Sequence, residues 1–223
     1  MKARETLRQL EQLTTAMVGL SLSNDQNFAS THGEIDGEFE ITVSSASTMS
    51  VALKNLAYRD IYRELDKARC FNFKMLDGGL VTLRYRFRNG DVCEHVLCYF
   101  PSPDLEHFQN DPEVYLLDEI YADVIERNIV PFPVRFDFSD DATKFVEVHH
   151  PYSHLTLGQY QNCRIPVCSP LSPFTFGRFI LRTFYNTAFR KYSDELPAAE
   201  LLFSNSITAN ERKIPHLVLG VAN

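Results

Sequence analysis

The stretch FNFKMLDGGLVTLRYRFRNGDVCEHVLCYF, residues 71–100, decides the fold. Residues 71–76 alternate as a strand, and Asp77-Gly78-Gly79 makes a turn. Residues 80–88 form a second strand, Asn89-Gly90-Asp91 a second turn, and residues 92–100 a third strand. Asn-Gly between alternating apolar runs is the strongest short-range hairpin cue, because both turn positions must adopt positive φ. The stretch therefore predicts a three-stranded antiparallel meander, which Pro101-Ser102-Pro103 terminates. Strand periodicity puts Val81, Leu83, Tyr85 and Phe87 on one face and Thr82, Arg84, Arg86 and Arg88 on the other.

Helical patterns flank the meander. Residues 2–20 repeat Leu7, Leu10, Leu13, Met17 and Leu20 every three or four positions. Ser21 to Asn27 reads as a polar stop, and residues 39–43 as a half-buried strand after turns at Gly33 and Gly37. A second helix is expected from caps at Ser47 and Thr48 to about Ala68, with Leu53, Leu56, Ile61 and Leu65 on its apolar side. A third is expected over residues 113–127. Beyond Pro131-Phe132-Pro133, residues 134–138 and 144–148 read as strands, 149–161 as an irregular polar connection and 163–167 as a short strand. Ser172-Pro173 is an N-cap and N1 pair opening a helix to about Phe189. A short helix around 198–203 and an apolar end at 217–221 complete the chain. Grouped helices and strands without βαβ alternation indicate an α+β fold, an antiparallel sheet packed against several helices. The expected organisation is one domain over 1–223, with an N-terminal helix, a core at about 53–189 and a short C-terminal extension.

Composition narrows the class. The 223 residues are 44% hydrophobic and 23% charged, which excludes wholesale disorder. A chain this long can bury about 70% of its unfolded surface and needs no metal or disulfide staple. With 22 Lys and Arg against 29 Asp and Glu the net charge is −7, which argues against a protein that coats nucleic acid non-specifically but not against a local basic site. The charged N-terminal helix is no signal peptide, and no apolar run approaches the roughly 20 residues that span a bilayer. A cytoplasmic protein without membrane contact is expected. The five cysteines are scattered, and Cys93/Cys98 and Cys163/Cys168 share a C-x4-C spacing. A separation of five on a strand directs the sulfurs to opposite faces, so these are read as small buried hydrophobes and not as zinc ligands. No cofactor is expected. Phosphate-binding glycine loops, G-x-S-x-G and H-E-x-x-H are absent.

Two constellations could carry chemistry. The first is cationic: Arg84, Arg86 and Arg88 form a row, and Arg178, Arg182, Asn186 and Arg190 recur every four positions on an otherwise apolar helix. The plain reading is a solvated face with cross-strand pairs to Glu94 or Asp91; the functional reading is an anion-binding surface formed by Arg84, Arg86, Arg88, Arg178 and Arg182. The second surrounds His149-His150-Pro151-Tyr152-Ser153-His154, with Arg135 and Asp137 upstream on one strand face and Arg164 downstream. His150 or His154 would serve as general acid or base, Asp137 would orient the ring, and Arg135 and Arg164 would stabilise developing negative charge. Such a set could cleave a phosphodiester without metal; His150, His154 and Asp137 could alternatively form a two-His, one-carboxylate metal site. The plain reading is that His154 and Tyr152 satisfy buried backbone groups in a long loop.

Several blocks carry a resemblance. They are Leu76-Asp77-Gly78-Gly79, the segment from Cys98 to Pro103, Val134-Arg135-Phe136-Asp137, the run His150-Pro151-Tyr152-Ser153-His154-Leu155-Thr156-Leu157-Gly158, the run from Asn162 to Val167, and Ser172-Pro173 before Phe179-Ile180-Leu181. Over residues 53–189 the chain resembles a bacterial family catalogued as domain of unknown function 2290. The resemblance implies a bacterial cytoplasmic protein and carries over no activity, cofactor or catalytic residue. By analogy with families often encoded beside mobile elements, toxin–antitoxin pairs or phage-defence genes, two functions are expected as alternatives. One is a defence- or toxin-type nuclease-like protein acting on RNA or another phosphodiester. The other is a non-catalytic accessory or antitoxin-like module binding a co-encoded protein, its arginine rows meeting an acidic surface. The sequence does not fix the oligomeric state.

Overall fold

The structure is a computed structural model that describes residues 2–35, 37–43, 56–104, 121, 123, 131–160, 162–198 and 203–219. It is an α+β fold. Nine strands are β1 (Ser23–Gln26), β2 (Ser30–Ile35), β3 (Glu38–Thr42), β4 (Phe73–Met75), β5 (Leu80–Arg88), β6 (Asp91–Phe100), β7 (Val134–Ser139), β8 (Ser153–Leu157) and β9 (Ile165–Pro166). The helices among the described residues are α1 (Ala3–Gly19), α2 (Tyr58–Lys67), α3 (Pro173–Phe184) and α4 (Asn186–Tyr192), with a 3-10 turn at Glu211–Lys213. All strand pairs are antiparallel, in the order β1-β4-β5-β6-β7-β8-β9. Strand β5 is long enough to pair with β4 through Leu80 and Val81 and with β3 through Tyr85 to Arg88; β2 extends from β3.

The meander forms as its alternation dictates. Asn89 and Gly90 both have positive φ, 51° and 83°, the requirement of the tight hairpin turn that Asn-Gly encodes. Near that turn β6 carries one extra residue: Arg86 faces Glu94, Phe87 faces Val92, and Cys93 is the bulge. The register then aligns whole rows across the sheet. Leu83, Leu97, Phe136 and Leu155 form one row on the core face; Arg84, Val96, Asp137 and His154 form the adjacent row on the opposite face.

The core face is covered by α1 and α3. Leu10, Leu13 and Met17 of α1 and Phe176, Ile180 and Leu181 of α3 bury against Leu83, Tyr85, Leu97 and Phe136. The two helices cross closely at Gly177, where a Cβ would lie 2.6 Å from Leu13 Cδ1, so any larger residue would displace the buried Leu13 side chain. Ser172 Oγ accepts from the Thr175 amide at 3.1 Å with Pro173 in the first turn, as expected of the N-cap pair. The opposite face is apolar at one end only. There α2 packs Ile61, Tyr62 and Leu65 on Phe71, Leu80, Cys98 and Phe100, leaving the charged end of the strands uncovered by α2.

Several expected boundaries are corrected. The polar stop after α1 contains β1, which satisfies its backbone by pairing with β4. Gly33 lies at an irregularity within β2, not at a turn that precedes the strands. Residues 144–148 are turns with one isolated bridge, Val146 to His150, and Val148 has a positive φ of 71° that no strand accommodates. The connection expected at 149–161 contains β8, where Leu155 faces the core and His154 and Thr156 face the other way. The strand expected at 163–167 shrinks to Ile165–Pro166. The helix expected to reach Phe189 breaks at Tyr185, which takes φ −135° and ψ 50° and separates α3 from α4. Leu56 precedes α2 and is exposed, so it does not belong to the apolar side assigned to that helix. The expected caps at Ser47 and Thr48, the helix at 113–127 apart from residues 121 and 123, and residues 199–202 of the last expected helix lie outside the described residues; Tyr121 and Asp123 are not helical, and Tyr121 has a positive φ of 63°.

Candidate functional site

The end of the polar face that α2 leaves uncovered holds a cavity of about 290 Å³, near the lower limit for ligand pockets. Arg135 and Asp137 of β7, His154 of β8, His150 before it, and Arg164 before β9 all line it. Strand parity brings Arg135 and Asp137 to one side, and pairing of Asp137 with His154 sets the imidazole beside the carboxylate. The five residues assigned to the His/Asp/Arg constellation thus share one pocket. Arg84 and Glu94 line it too, with Lys144, Phe145 and Tyr152.

His154 is not on a loop: it sits in an interior strand with 5% of its surface exposed. Its Nδ1 lies 3.0 Å from the Pro151 carbonyl oxygen, which assigns the ring proton to Nδ1. Its Nε2 lies 3.5 Å from Asp137 Oδ2. The Pro151 carbonyl, not Asp137, therefore sets the tautomer, and the carboxylate stands beside the nitrogen that would receive a proton. Asp137 Oδ2 also accepts from Arg135 Nε at 2.7 Å. Burial holds the His154 pKa below the ordinary histidine value; Asp137 opposes this, while His150 and Arg164 add to it. His150 packs edge-to-face on His154 with centroids 5.2 Å apart. Its pKa is lowered by burial and then by the Arg164 charge. Both rings are thus neutral near pH 7.

The cations of the pocket differ in how they are balanced. Glu94 binds both Arg84, at 2.5 Å, and Arg86; Arg84 also reaches Glu40 at 3.1 Å. Arg88 holds Glu38 at 2.5 Å and Asp140 at 3.6 Å. The arginine row is on one face as expected, but Glu40, Glu94, Glu38 and Asp140 occupy it, while Asp91 pairs with Lys2. Arg178 and Arg182 are not among the pocket's lining residues. Arg178 stacks over Phe189 and donates to the Ser193 carbonyl. The helix break at Tyr185 also interrupts the stripe that ran on to Asn186 and Arg190. Arg164 is different: its backbone amide donates to the Asn162 carbonyl at 3.0 Å, but among the described residues no carboxylate or hydrogen-bond acceptor pairs with its guanidinium.

Two features of the site escaped the sequence reading. Phe145 and Tyr152 stack in parallel on the pocket wall, 4.2 Å apart and 8° from coplanar. Glu211, 1% exposed, sends Oε1 to the Val148 amide at 3.4 Å and Oε2 to the Thr208 amide at 2.9 Å. It ties the chain's last turn to the strained residue just before the histidines. The reading of residues 144–148 as a strand concealed the stack; nothing near Glu211 in sequence points to the pocket.

The Leu76-Asp77-Gly78-Gly79 block lies elsewhere and is structural. Asp77 accepts from the Gly79 amide and the Tyr185 hydroxyl, Tyr185 meets the Tyr99 hydroxyl at 2.8 Å, and burial pushes the Asp77 carboxyl up. This network holds the helix break at Tyr185 against the β4–β5 turn. All five cysteines are free. Among the described residues no group of three or more His, Cys, Asp or Glu side chains is arranged to hold a metal, and that includes His150, His154 and Asp137. No described helix is long and apolar enough to cross a membrane.

A family model described as an uncharacterised conserved protein, DUF2290, matches residues 22–219. No curated protein and no solved structure matches the chain.

Proposed function

The chain belongs to the DUF2290 family, and from its pocket we propose a phosphodiester-cleaving protein, acting on RNA or a related phosphodiester by acid–base chemistry without metal. The observation that carries this reading is Arg164: a pocket cation without a carboxylate among the described residues, beside two neutral imidazoles. An uncompensated guanidinium attracts a phosphate, and its fork suits two phosphate oxygens. RNA carries its own nucleophile. His154 Nε2 would take the 2′-hydroxyl proton as that oxygen bonds phosphorus, and Asp137 would stabilise the imidazolium formed. His150, protonated once the phosphate charge is bound beside it, would give its proton to the departing 5′-oxygen. The products are a 2′,3′-cyclic phosphate and a free 5′-hydroxyl. Arg164 would balance the phosphorane's charge, while Arg135 keeps Asp137 in place. A toxin- or defence-type role in the cell follows from such an activity and is part of the proposal.

The competing reading, an accessory module whose arginine rows meet an acidic partner, asks for free arginines. Arg84, Arg86 and Arg88 already hold carboxylates of their own fold. The test is cleavage of single-stranded RNA in the presence of a chelator. His150→Ala should lower the rate by on the order of 100- to 10,000-fold with the melting point nearly unchanged. Absence of cleavage by the wild-type protein refutes the enzyme reading.

A further inference from the structure

We infer that the pocket takes a nucleotide unit as a whole, its base stacking on the Phe145–Tyr152 pair while its phosphate meets Arg164. This rests on the phosphate reading above and adds what lies next to the phosphate. Phe145 and Tyr152 belong to different segments, one in the turn region after β7 and one just before β8, yet their rings stack nearly parallel with centroids 4.2 Å apart. Both border the same cavity as Arg164, His150 and His154. Both are half-buried, so the pair is a wall of the pocket and not part of the core.

The pair is also held in place from both sides. The Tyr152 carbonyl accepts from the Ser139 amide at 3.0 Å, fixing it against the end of β7. Phe145 immediately precedes the loop closed by the Val146–His150 bridge, and Glu211 holds that loop at Val148. A rigid aromatic stack at the edge of a cationic pocket is the arrangement that receives an unpaired base, since every base has a π-face and stacking needs no particular sequence. A base locked in a duplex cannot extend the stack. The ligand class is therefore a single-stranded nucleotide chain, read by base plane and phosphate.

The experiment compares adenosine 5′-monophosphate with ribose 5-phosphate, which has the same phosphate and sugar but no base. Binding is followed by NMR on the full chain. The wild type should bind the nucleotide on the order of tenfold more tightly, with the Tyr152 ring protons shifting. Tyr152→Leu should remove the preference and Tyr152→Phe should keep it. Phe145→Leu serves if Tyr152→Leu does not fold. Arg164→Ala should weaken both ligands alike. Equal binding of the two by the wild type overturns the base platform and leaves the phosphate reading standing. A preference that survives Tyr152→Leu overturns the platform as well. Failure of both ligands to bind refutes the phosphate reading, and the base proposal with it.

Discussion

The two faces of the sheet are built from the same strands and solve opposite problems. On the core face, Leu83, Leu97, Phe136 and Leu155 line up in register and α1 and α3 cover them. On the other, the row displaced by one residue is Arg84, Val96, Asp137 and His154, and α2 covers only the apolar end beside it. Burial on the first face is satisfied by shape. On the second, most charges are satisfied by each other, Glu94 binding two arginines and Asp137 a third. Arg164 is the pocket cation left without a carboxylate among the described residues. A sheet face stabilised by internal ion pairs is structural; Arg164, beside that face, is the charge on which the proposed anion site rests.

Neighbouring residues of β7 give the largest contrast. Phe136 is buried edge-to-face against Phe176 and Phe179, so Phe136→Ala should cost about 3–5 kcal/mol in urea unfolding. Asp137→Ala should cost less, about 1–2 kcal/mol, by stranding a part-buried Arg135. Equal costs would mean that the polar face is packed as a second core.

The next effect separates the faces by pH. His95 is on the core face, accepting from the Leu171 amide at 3.1 Å, and burial pushes its pKa down to about 3. A histidine with a folded pKa below its unfolded value of about 6.5 stabilises fully above that value. The contribution is lost as the pH falls from about 6.5 towards 3, at up to about 1.4 kcal/mol per pH unit. Urea unfolding between pH 7 and 4.5 should show this slope, and His95→Gln should flatten it. An unchanged slope in the variant would place the acid sensitivity elsewhere.

The smallest expected effect concerns Arg164. With no carboxylate among the described residues to strand, Arg164→Ala should change stability by about 0.5 kcal/mol or less, against about 1–2 kcal/mol for Glu94→Gln, which leaves Arg84 and Arg86 without their shared carboxylate. A large loss from Arg164→Ala would show that the residue is structural.

The sequence made the first face and half of the second legible. Strict alternation and two turns with glycine fix β4 to β6, and parity places Arg84, Arg86 and Arg88 together. Arg135 and Asp137 are two residues apart and so share a face. The partners of those charges were legible in part: Glu94 was expected and binds Arg84 and Arg86, brought opposite Arg86 by the bulge at Cys93, but Glu40 and Glu38 come from β3, and Asp91 pairs with Lys2 instead. His154 and Thr156 alternate with Leu155 and Leu157, but Pro151 and the paired histidines obscured the strand. Tyr185 breaks its helix because its hydroxyl binds Asp77, more than a hundred residues earlier, which no local pattern records.

The central claim is that the pocket is an anion site with two neutral histidines beside an unbalanced Arg164. Histidine NMR titration, with and without inorganic phosphate, tests it most directly. His150 and His154 should titrate below about 6.5 in the free protein and move upward when phosphate is added. Arg164→Ala should raise both without phosphate and abolish the response to it, while buried His95 stays unmoved throughout. Titration of His150 and His154 that ignores phosphate, or a phosphate response that persists without Arg164, would contradict the account.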